Sequence, residues 1–297
     1  MHIKFILIWL LSYTLAAQAA PDDVTAKMRD DELTSAVLKF VSSPKLRSSI
    51  AMIYDEQGQN SLYAKNADMV APIASITKLM TAMVVLDAKL PLEEEISISG
   101  LDMDMLKGTK SRIRLGVKLT RGELLKLALM SSENRAAAAL ARTYPGGTNV
   151  AVAMMNEKAH ELGMKDTRFV DPTGLNRGNV STAQDLVRMV QAAQHYGPIH
   201  EFTTTSSHIV GLAGRRQIHY SNTNPLVRNT SWDIGISKTG YISEAGRCLV
   251  METTINQRPV IIVLLDSWGK NTRIGDANRI KKWMESSYAR ANATSRS

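Results

Sequence analysis

Residues 72–86, PIASITKLMTAMVVL, place one lysine inside a run that is apolar on nearly every side. After Ser75 and Thr77, the residues Ile76, Leu79, Met80, Met83, Val84 and Leu86 wrap a helix instead of striping one face. A helix that is apolar all round is a buried one. Lys78, one turn inside it, must find partners, reach an opening to water or lose its proton.

Working outward, SSIAMIYDEQGQNSLYAKN before this helix reads as a hairpin, two β-type runs around the turn at Gly58. A weaker helical signal covers Glu32 to Val41. From about Leu101 to Gln194 the pattern is mostly helical. TRGELLKLALM opens with a capping box of Thr120 and Glu123, NVAVAMMNEKAHELGM stops near Gly163, and STAQDLVRMVQAAQHYG is ended by Gly197 and Pro198. After His208 strand signals return. WDIGISKTGY, RCLVMETTI and PVIIVLLDS form an antiparallel meander with turns at Glu244 to Gly246 and Asn256 to Pro259. NTRIGDANRIKKWMESSYA closes the fold as a helix. Strands at both ends with helices between them predict an α+β protein: an antiparallel sheet built from both chain ends, flanked by helices, with an inserted, mostly helical lobe. The expected division is a sheet lobe over about 48–72 and 205–290, a helical lobe over about 73–204, and a frayed tail over 291–297.

The 297 residues are 44% hydrophobic and 22% charged, enough for a substantial core. MHIKFILIWLLSYTLAAQAA has the basic start, apolar run and small residues of a secretory signal peptide cut after Ala19 or Ala20, leaving a single domain over 21–290. The apolar run is short for a retained membrane anchor. The lone cysteine, Cys248, excludes an intramolecular disulfide and sits in a strand-like run as a bystander thiol. The formal charge of +8 becomes +7 once Lys4 leaves with the leader. That balance suits anionic envelope polymers or lipid surfaces, or serves solubility alone. The chain has no basic-aromatic module for nucleic acid and no H-E-x-x-H. Asp102, Asp104 and Glu93 to Glu95 read as a solvated acidic loop, since no histidine falls at zinc spacing. No metal or cofactor is expected. The sequons at Asn179, Asn229 and Asn292 are three-residue patterns and are expected to carry no meaning.

Ser75-Ile-Thr-Lys78 matches S-x-x-K, as do Ser42 to Lys45 and Ser267 to Lys270. The latter two hold Pro44 or Gly269 and lack a helix that would put serine and lysine on one face. Context selects Ser75. Ser132-Glu133-Asn134 follows as S-x-N at a helix junction, then Lys238-Thr239-Gly240 on a strand. The three elements in this order form the active-site serine signature of penicillin-binding proteins and serine β-lactamases.

From about Ser48 to Tyr288 the chain resembles low-molecular-mass penicillin-binding proteins. Within them it is most similar to the periplasmic D-alanyl-D-alanine endopeptidases of the penicillin-binding protein 7 type. The likeness runs through APIASITKLMTAMVVLDAKLPL, LALMSSENRAAAALA, YPGG, LGMKDTRFVDPTGL and AGRCLVM. It implies a serine D,D-peptidase of the cell wall that cuts D-Ala–diaminopimelate cross-links and is acylated by penicillin on Ser75.

Ser75 is then the nucleophile at a helix N-terminus, and Lys78 its base if neutral. Burial and the charge of Lys238 both push Lys78 toward the neutral amine. Ser132 relays a proton to the leaving amine, and Asn134 holds Lys78 and the substrate amide. Lys238 and Thr239 receive the carboxylate beside the scissile bond, and Gly240 admits the substrate backbone. By the resemblance, the backbone N–H groups of Ser75 and Tyr241 form the oxyanion hole.

A β-lactamase shares these motifs but needs a rapid deacylation step, and FVDPTGLN lacks the glutamate that holds the class A water. A β-lactam sensor or a pseudoenzyme is the non-enzymatic alternative, yet Ser75, Lys78 and Lys238 are all present. Carboxypeptidases of the family continue into a β-rich domain and a membrane helix, whereas this sequence stops after its closing helix, which favours the endopeptidase. One departure stands out: relatives often place a threonine two residues past the K-T-G glycine, where this chain has Ile242. The expectation is a lost hydroxyl beside the cleft.

Overall fold

The computed structural model describes residues 43–212 and 216–294, with side chains described up to residue 290 apart from 212–216. The expected leader and the helical signal at Glu32 to Val41 lie outside the described residues. In chain order, the strands are β1 Ile50–Asp55, β2 Asn60–Lys65, β3 Ala71–Pro72, β4 Glu95–Ser97, β5 Lys118–Thr120, β6 Val180–Ser181, β7 Ser207–Leu212, β8 Arg216–Ser221, β9 Asp233–Ile242, β10 Gly246–Ile255 and β11 Arg258–Ser267. The helices are α1 Thr77–Asp87, α2 Arg121–Met130, α3 Asn134–Arg142, α4 Gly147–Glu161, α5 Ala183–Ala193, α6 Gly197–Thr204 and α7 Thr272–Thr294.

The main sheet has the order β2-β1-β11-β10-β9, every pair antiparallel, so strands from both ends of the sequence do meet. Its two faces are both buried, which explains the almost unbroken apolar runs of β10 and β11. Along β11, Ile261, Val263 and Leu265 join the large core under the helical layer, while Val260, Ile262 and Leu264 face Ala277, Ile280 and Met284 of α7. This is the period of two of a strand packed on both sides. The β9-to-β11 turns fall where the sequence puts them, and the tight β10–β11 turn has Asn256 and Gln257 both at positive φ. Cys248 is fully buried in the helical-side core, and burial pushes its thiol up to about 11.

Four local readings change. After a 3-10 turn at Gly100–Asp102, residues 103–117 are irregular, because Asp104 takes the N–H groups of Leu106, Lys107 and Thr109 that a helix would use. Gly197 and Pro198 open α6, with Pro at its first turn, instead of ending α5, which stops at Ala193. α7 continues through Thr294, so the tail is helical over its first residues. Asp102 is not solvated: it is 2% exposed and binds Arg142 through both oxygens, at 2.8 and 3.1 Å. The capping box of Thr120 and Glu123 stands as read, with Glu123 N–H donating to Thr120 Oγ1 and Thr120 N–H to Glu123 Oε2.

At the sheet's β9 side, Glu252 on β10 is partly buried beside Glu56 and Asp233. Burial first, then these two carboxylates, raises its pKa to about 7, against backbone hydrogen bonds from Gly235 and Ile236 that lower it. The folded chain therefore holds this proton more tightly than the unfolded chain does. The stability it contributes is complete below pH 4.5 and is lost as pH rises to about 7. Glu252→Gln keeps the acceptor and removes the charge. Thermal unfolding should show Tm raised by a few degrees at pH 8 and little changed at pH 4.5 (about 2–4 °C per kcal/mol for a domain of this size). An equal shift at both pH values would reject this titration.

Candidate active site

Ser75 lies in a 3-10 turn, Ala74–Ile76, that runs straight into α1. Ala74 has φ +49°, a left-handed conformation that a non-glycine residue adopts only under constraint. The constraint is visible. Gly174, at φ +81°, comes so close that a Cβ on it would lie 2.0 Å from the Ala74 carbonyl oxygen. From the sheet side, a Cβ on Gly240 would lie 2.9 Å from Ile73 O and 3.0 Å from Ser75 N. The peptide preceding the serine is gripped between two glycines.

The Lys78 side chain is 1% exposed, and its ammonium is met on three sides. It donates to Ser75 Oγ at 2.8 Å, to Asn134 Oδ1 at 2.8 Å and to the Thr173 carbonyl at 2.6 Å. Burial pulls its pKa down from 10.5 to about 7, while the carboxylates of Asp171 and Glu133 pull the other way. Of its partners, Asn134 Oδ1 and Thr173 O accept only. A neutral Lys78 has two N–H bonds for these two oxygens, and its lone pair is left facing the one group that carries a proton, Ser75 Oγ–H. The arrangement can thus remove that proton without rearranging.

On the other side of the cleft, Lys238 is 1% exposed and donates to Ser132 Oγ at 2.9 Å and to Thr239 O at 2.9 Å. Burial, then the charges of Lys78 and Arg273, hold its pKa well below the ordinary lysine value. The two lysines repel one another, and burial is the leading cause of the lowering at both, opposed at Lys78 by two nearby acids. Ser132 stands at φ +58° and joins the site through Lys238. Thr239 Oγ1 donates to Thr223 Oγ1 at 2.6 Å, and Arg273 Nη1 donates to Gly240 O at 3.2 Å, fixing the strand from behind. Tyr241 is 56% exposed at the cleft edge.

Ser75, Lys78, Ser132, Asn134, Lys238 and Gly240 are thus brought together, with Thr239 and Tyr241 on the same strand. Ile242 is not beside the cleft. It is 5% exposed and packs in the core that also holds Ala245 and Cys248, so a hydroxyl here would face apolar neighbours rather than substrate.

Several supporting residues were not singled out from sequence. Asp171 draws in the loop that carries the Thr173 carbonyl: Oδ1 accepts from Thr173 N–H (2.6 Å), Thr173 Oγ1 (2.5 Å) and Gly174 N–H (2.9 Å), and Oδ2 from Asn176 N–H (2.9 Å). Asn179, a disregarded sequon, is fully buried. It ties that loop to the nucleophile turn through Thr77 Oγ1 at 2.9 Å and Asp171 O at 2.8 Å, while its own carbonyl accepts from Ile73 N–H at 3.1 Å. Asn134 Nδ2 donates to Thr109 Oγ1 at 3.0 Å, which Asp104 holds in turn. A cavity of about 240 Å³ opens between Met103 to Leu106, Asn134 and Pro172 to Thr173. Next to Leu106 in sequence, Lys107 pairs with Glu244 of the β9–β10 turn. Among the described residues no group of acids, histidines and cysteine is placed to hold a metal ion.

The profile of the D-alanyl-D-alanine carboxypeptidase family, peptidase family S11, matches residues 38–269. A D-alanyl-D-alanine endopeptidase of Pseudomonas aeruginosa is 49% identical over 248 residues, 83% of this chain and 80% of its own length. One of Escherichia coli is 44% identical over 276 residues, covering 93% and 86%. Among solved structures, the Streptomyces K15 DD-transpeptidase superposes with a TM-score of 0.77 at 27% identity, over 83% of this chain and all of that one. A profile match over most of the length, relatives at 49% and 44% identity and a shared fold agree: the chain belongs to the S11 family of serine D,D-peptidases.

Proposed function

We propose that this D,D-peptidase is an endopeptidase of the bacterial periplasm, cutting the D-Ala–diaminopimelate cross-links of peptidoglycan through an acyl-enzyme on Ser75. The observation that carries the reading is the contact of Lys78 Nζ, on a residue 1% exposed, with Ser75 Oγ at 2.8 Å. The endopeptidase names of the relatives at 49% and 44% identity support the choice over a carboxypeptidase.

In the proposed course, Ser75 Oγ attacks the D-alanyl carbonyl and its proton passes to the neutral Lys78. The oxyanion is held by the N–H groups of Ser75 and Tyr241. Collapse breaks the C–N bond to diaminopimelate, and the leaving amine takes its proton from Lys78 through Ser132. Water then hydrolyses the D-alanyl ester. Asn134 orients Lys78 and the incoming amide, and Lys238 and Thr239 receive the carboxylate next to the scissile bond. Gly240 lets the substrate backbone lie against β9. No cofactor takes part. The net positive charge favours approach to the anionic envelope.

Penicillin is expected to acylate Ser75 and stay. Each oxygen of Asp171, the nearest counterpart of a water-activating acid, is already engaged by the N–H and O–H groups of its own loop. Turnover of a chromogenic cephalosporin at β-lactamase rates would reject this.

Purified cross-linked muropeptide dimers should be converted to monomers, with little free D-alanine released from pentapeptides. Ser75→Ala should abolish both conversion and penicillin labelling, and the reverse product pattern would point to a carboxypeptidase. Because the base must be neutral, kcat/KM for acylation should fall below about pH 7, the value to which Lys78 is lowered. Glu133, 9% exposed, raises the Lys78 pKa, so Glu133→Gln should move that acid limb to lower pH without removing a ligand of the amine. A limb that stays in place would exclude Lys78 as its source. Gly174→Ala should force the Ala74–Ser75 peptide aside and slow acylation by about 10²-fold or more, as displacements near 1 Å do.

A further inference from the structure

Beyond Tyr241 the end of the main sheet carries a second concavity, separate from the Ser75–Lys78–Lys238 group. Strand register sets Tyr241 of β9 opposite Arg247 of β10, and Arg247 opposite Ser267 of β11. The three form one row across the sheet. Trp268 follows at once, and its side chain is 80% exposed. With Asp266 and Lys270 these residues line a cavity of about 180 Å³.

The chemistry of this pocket is specific. A large aromatic ring is ordinarily tucked into a core or an interface, since it buries roughly 150–250 Å². Here the indole stands open at a pocket it shares with the Tyr241 ring, the charged Arg247, Asp266 and Lys270, and small serines and glycines. The Arg247 guanidinium lies 4.5 Å from the centre of the Tyr241 ring, which holds that ring as part of the floor. Arg247 and Lys270 against Asp266 leave the pocket one positive charge in excess. A flat apolar face flanked by cations matches a sugar ring that carries or neighbours a carboxylate. It does not match a lipid surface, which would need a broad apolar patch.

Position supplies the rest. Two strand spacings separate β9 from β11, about 10 Å. A polymer whose scissile bond lies along β9 therefore reaches Trp268 within its next few groups.

We propose that this pocket is a second binding site for the wall polymer, stacking an amino-sugar ring on Trp268 and receiving a carboxylate of the same strand on Lys270 and Arg247. The assignment rests on the peptidoglycan reading above and extends it from the cross-link peptide to the glycan that bears it.

Two measurements on the full chain test it. In cosedimentation with intact sacculi, Trp268→Ala and Lys270→Glu should lower the bound fraction, with apparent affinity reduced about five- to tenfold, and Trp268→Tyr should retain most of it. In hydrolysis, Trp268→Ala should lower kcat/KM for dimers that carry their disaccharides by a similar factor, chiefly through KM. The same dimers stripped of sugar by an amidase should be cut at the wild-type rate. Acylation by a penicillin too small to leave the cleft reports that the variants are folded. Sacculus binding unchanged in both variants overturns the proposal. So does a Trp268→Ala loss of equal size on sugar-bearing and sugar-free dimers. A wild-type protein that binds sacculi through Trp268 but cuts neither dimer would instead reject the endopeptidase reading and leave the pocket standing.

Discussion

One buried ammonium organises this protein. Lys78 is surrounded by Ser75 Oγ, Asn134 Oδ1 and Thr173 O, and each of those oxygens belongs to a different part of the chain. Ser75 comes from the turn before α1, Asn134 from the first residue of α3, and Thr173 from the loop between α4 and β6. Burying a charge is costly unless every proton on it is accepted. The fold meets that demand by converging three segments on one nitrogen, and the same convergence sets its pKa near 7. Stability and reactivity are here two sides of a single desolvation.

Much of this was legible because the signals were local and physical. The all-round apolar helix marked Lys78 as buried, and helix context separated Ser75 from two identical four-residue patterns elsewhere. Alternating and continuous apolar runs located the main-sheet strands. What escaped depends on long-range satisfaction of backbone groups. Asn179 reads in sequence only as a sequon without meaning, yet it is fully buried and staples the 171–179 loop to the nucleophile turn. Asp104 dissolves what composition suggests is helical by capturing the N–H groups of Leu106, Lys107 and Thr109. Ile242 was misplaced because strand position alone does not say where the cleft stops and the core begins along one face. The alternation that brings Lys238 to Ser132 carries Ile242 past the opening into apolar packing.

The two serines of the site share a further property. Ala74, immediately before Ser75, and Ser132 itself are non-glycine residues in the left-handed region. Several of the other such residues sit in tight turns, Asn256 and Gln257 among them, where asparagine and a two-residue reversal make the conformation inexpensive. Neither excuse applies to Ala74. Its conformation costs on the order of 1 kcal/mol or more and persists only where the surroundings over-determine it.

Those surroundings are the two glycines. Gly174 approaches from the loop that Asp171 and Asn179 hold, and Gly240 approaches from the strand that Arg273 anchors by its carbonyl. A side chain at either position would meet the Ala74–Ser75 peptide within about 3 Å. The absence of two methyl groups thus lets the helical layer and the sheet close on the nucleophile from opposite sides. The same closure excludes water from Lys78 and brings Lys238 within reach of Ser132. It follows that the backbone strain at Ala74 and the lowered pKa of Lys78 have one origin. A change that relaxes the grip on that peptide must rehydrate the amine as well, so the serine loses its alignment and its base together.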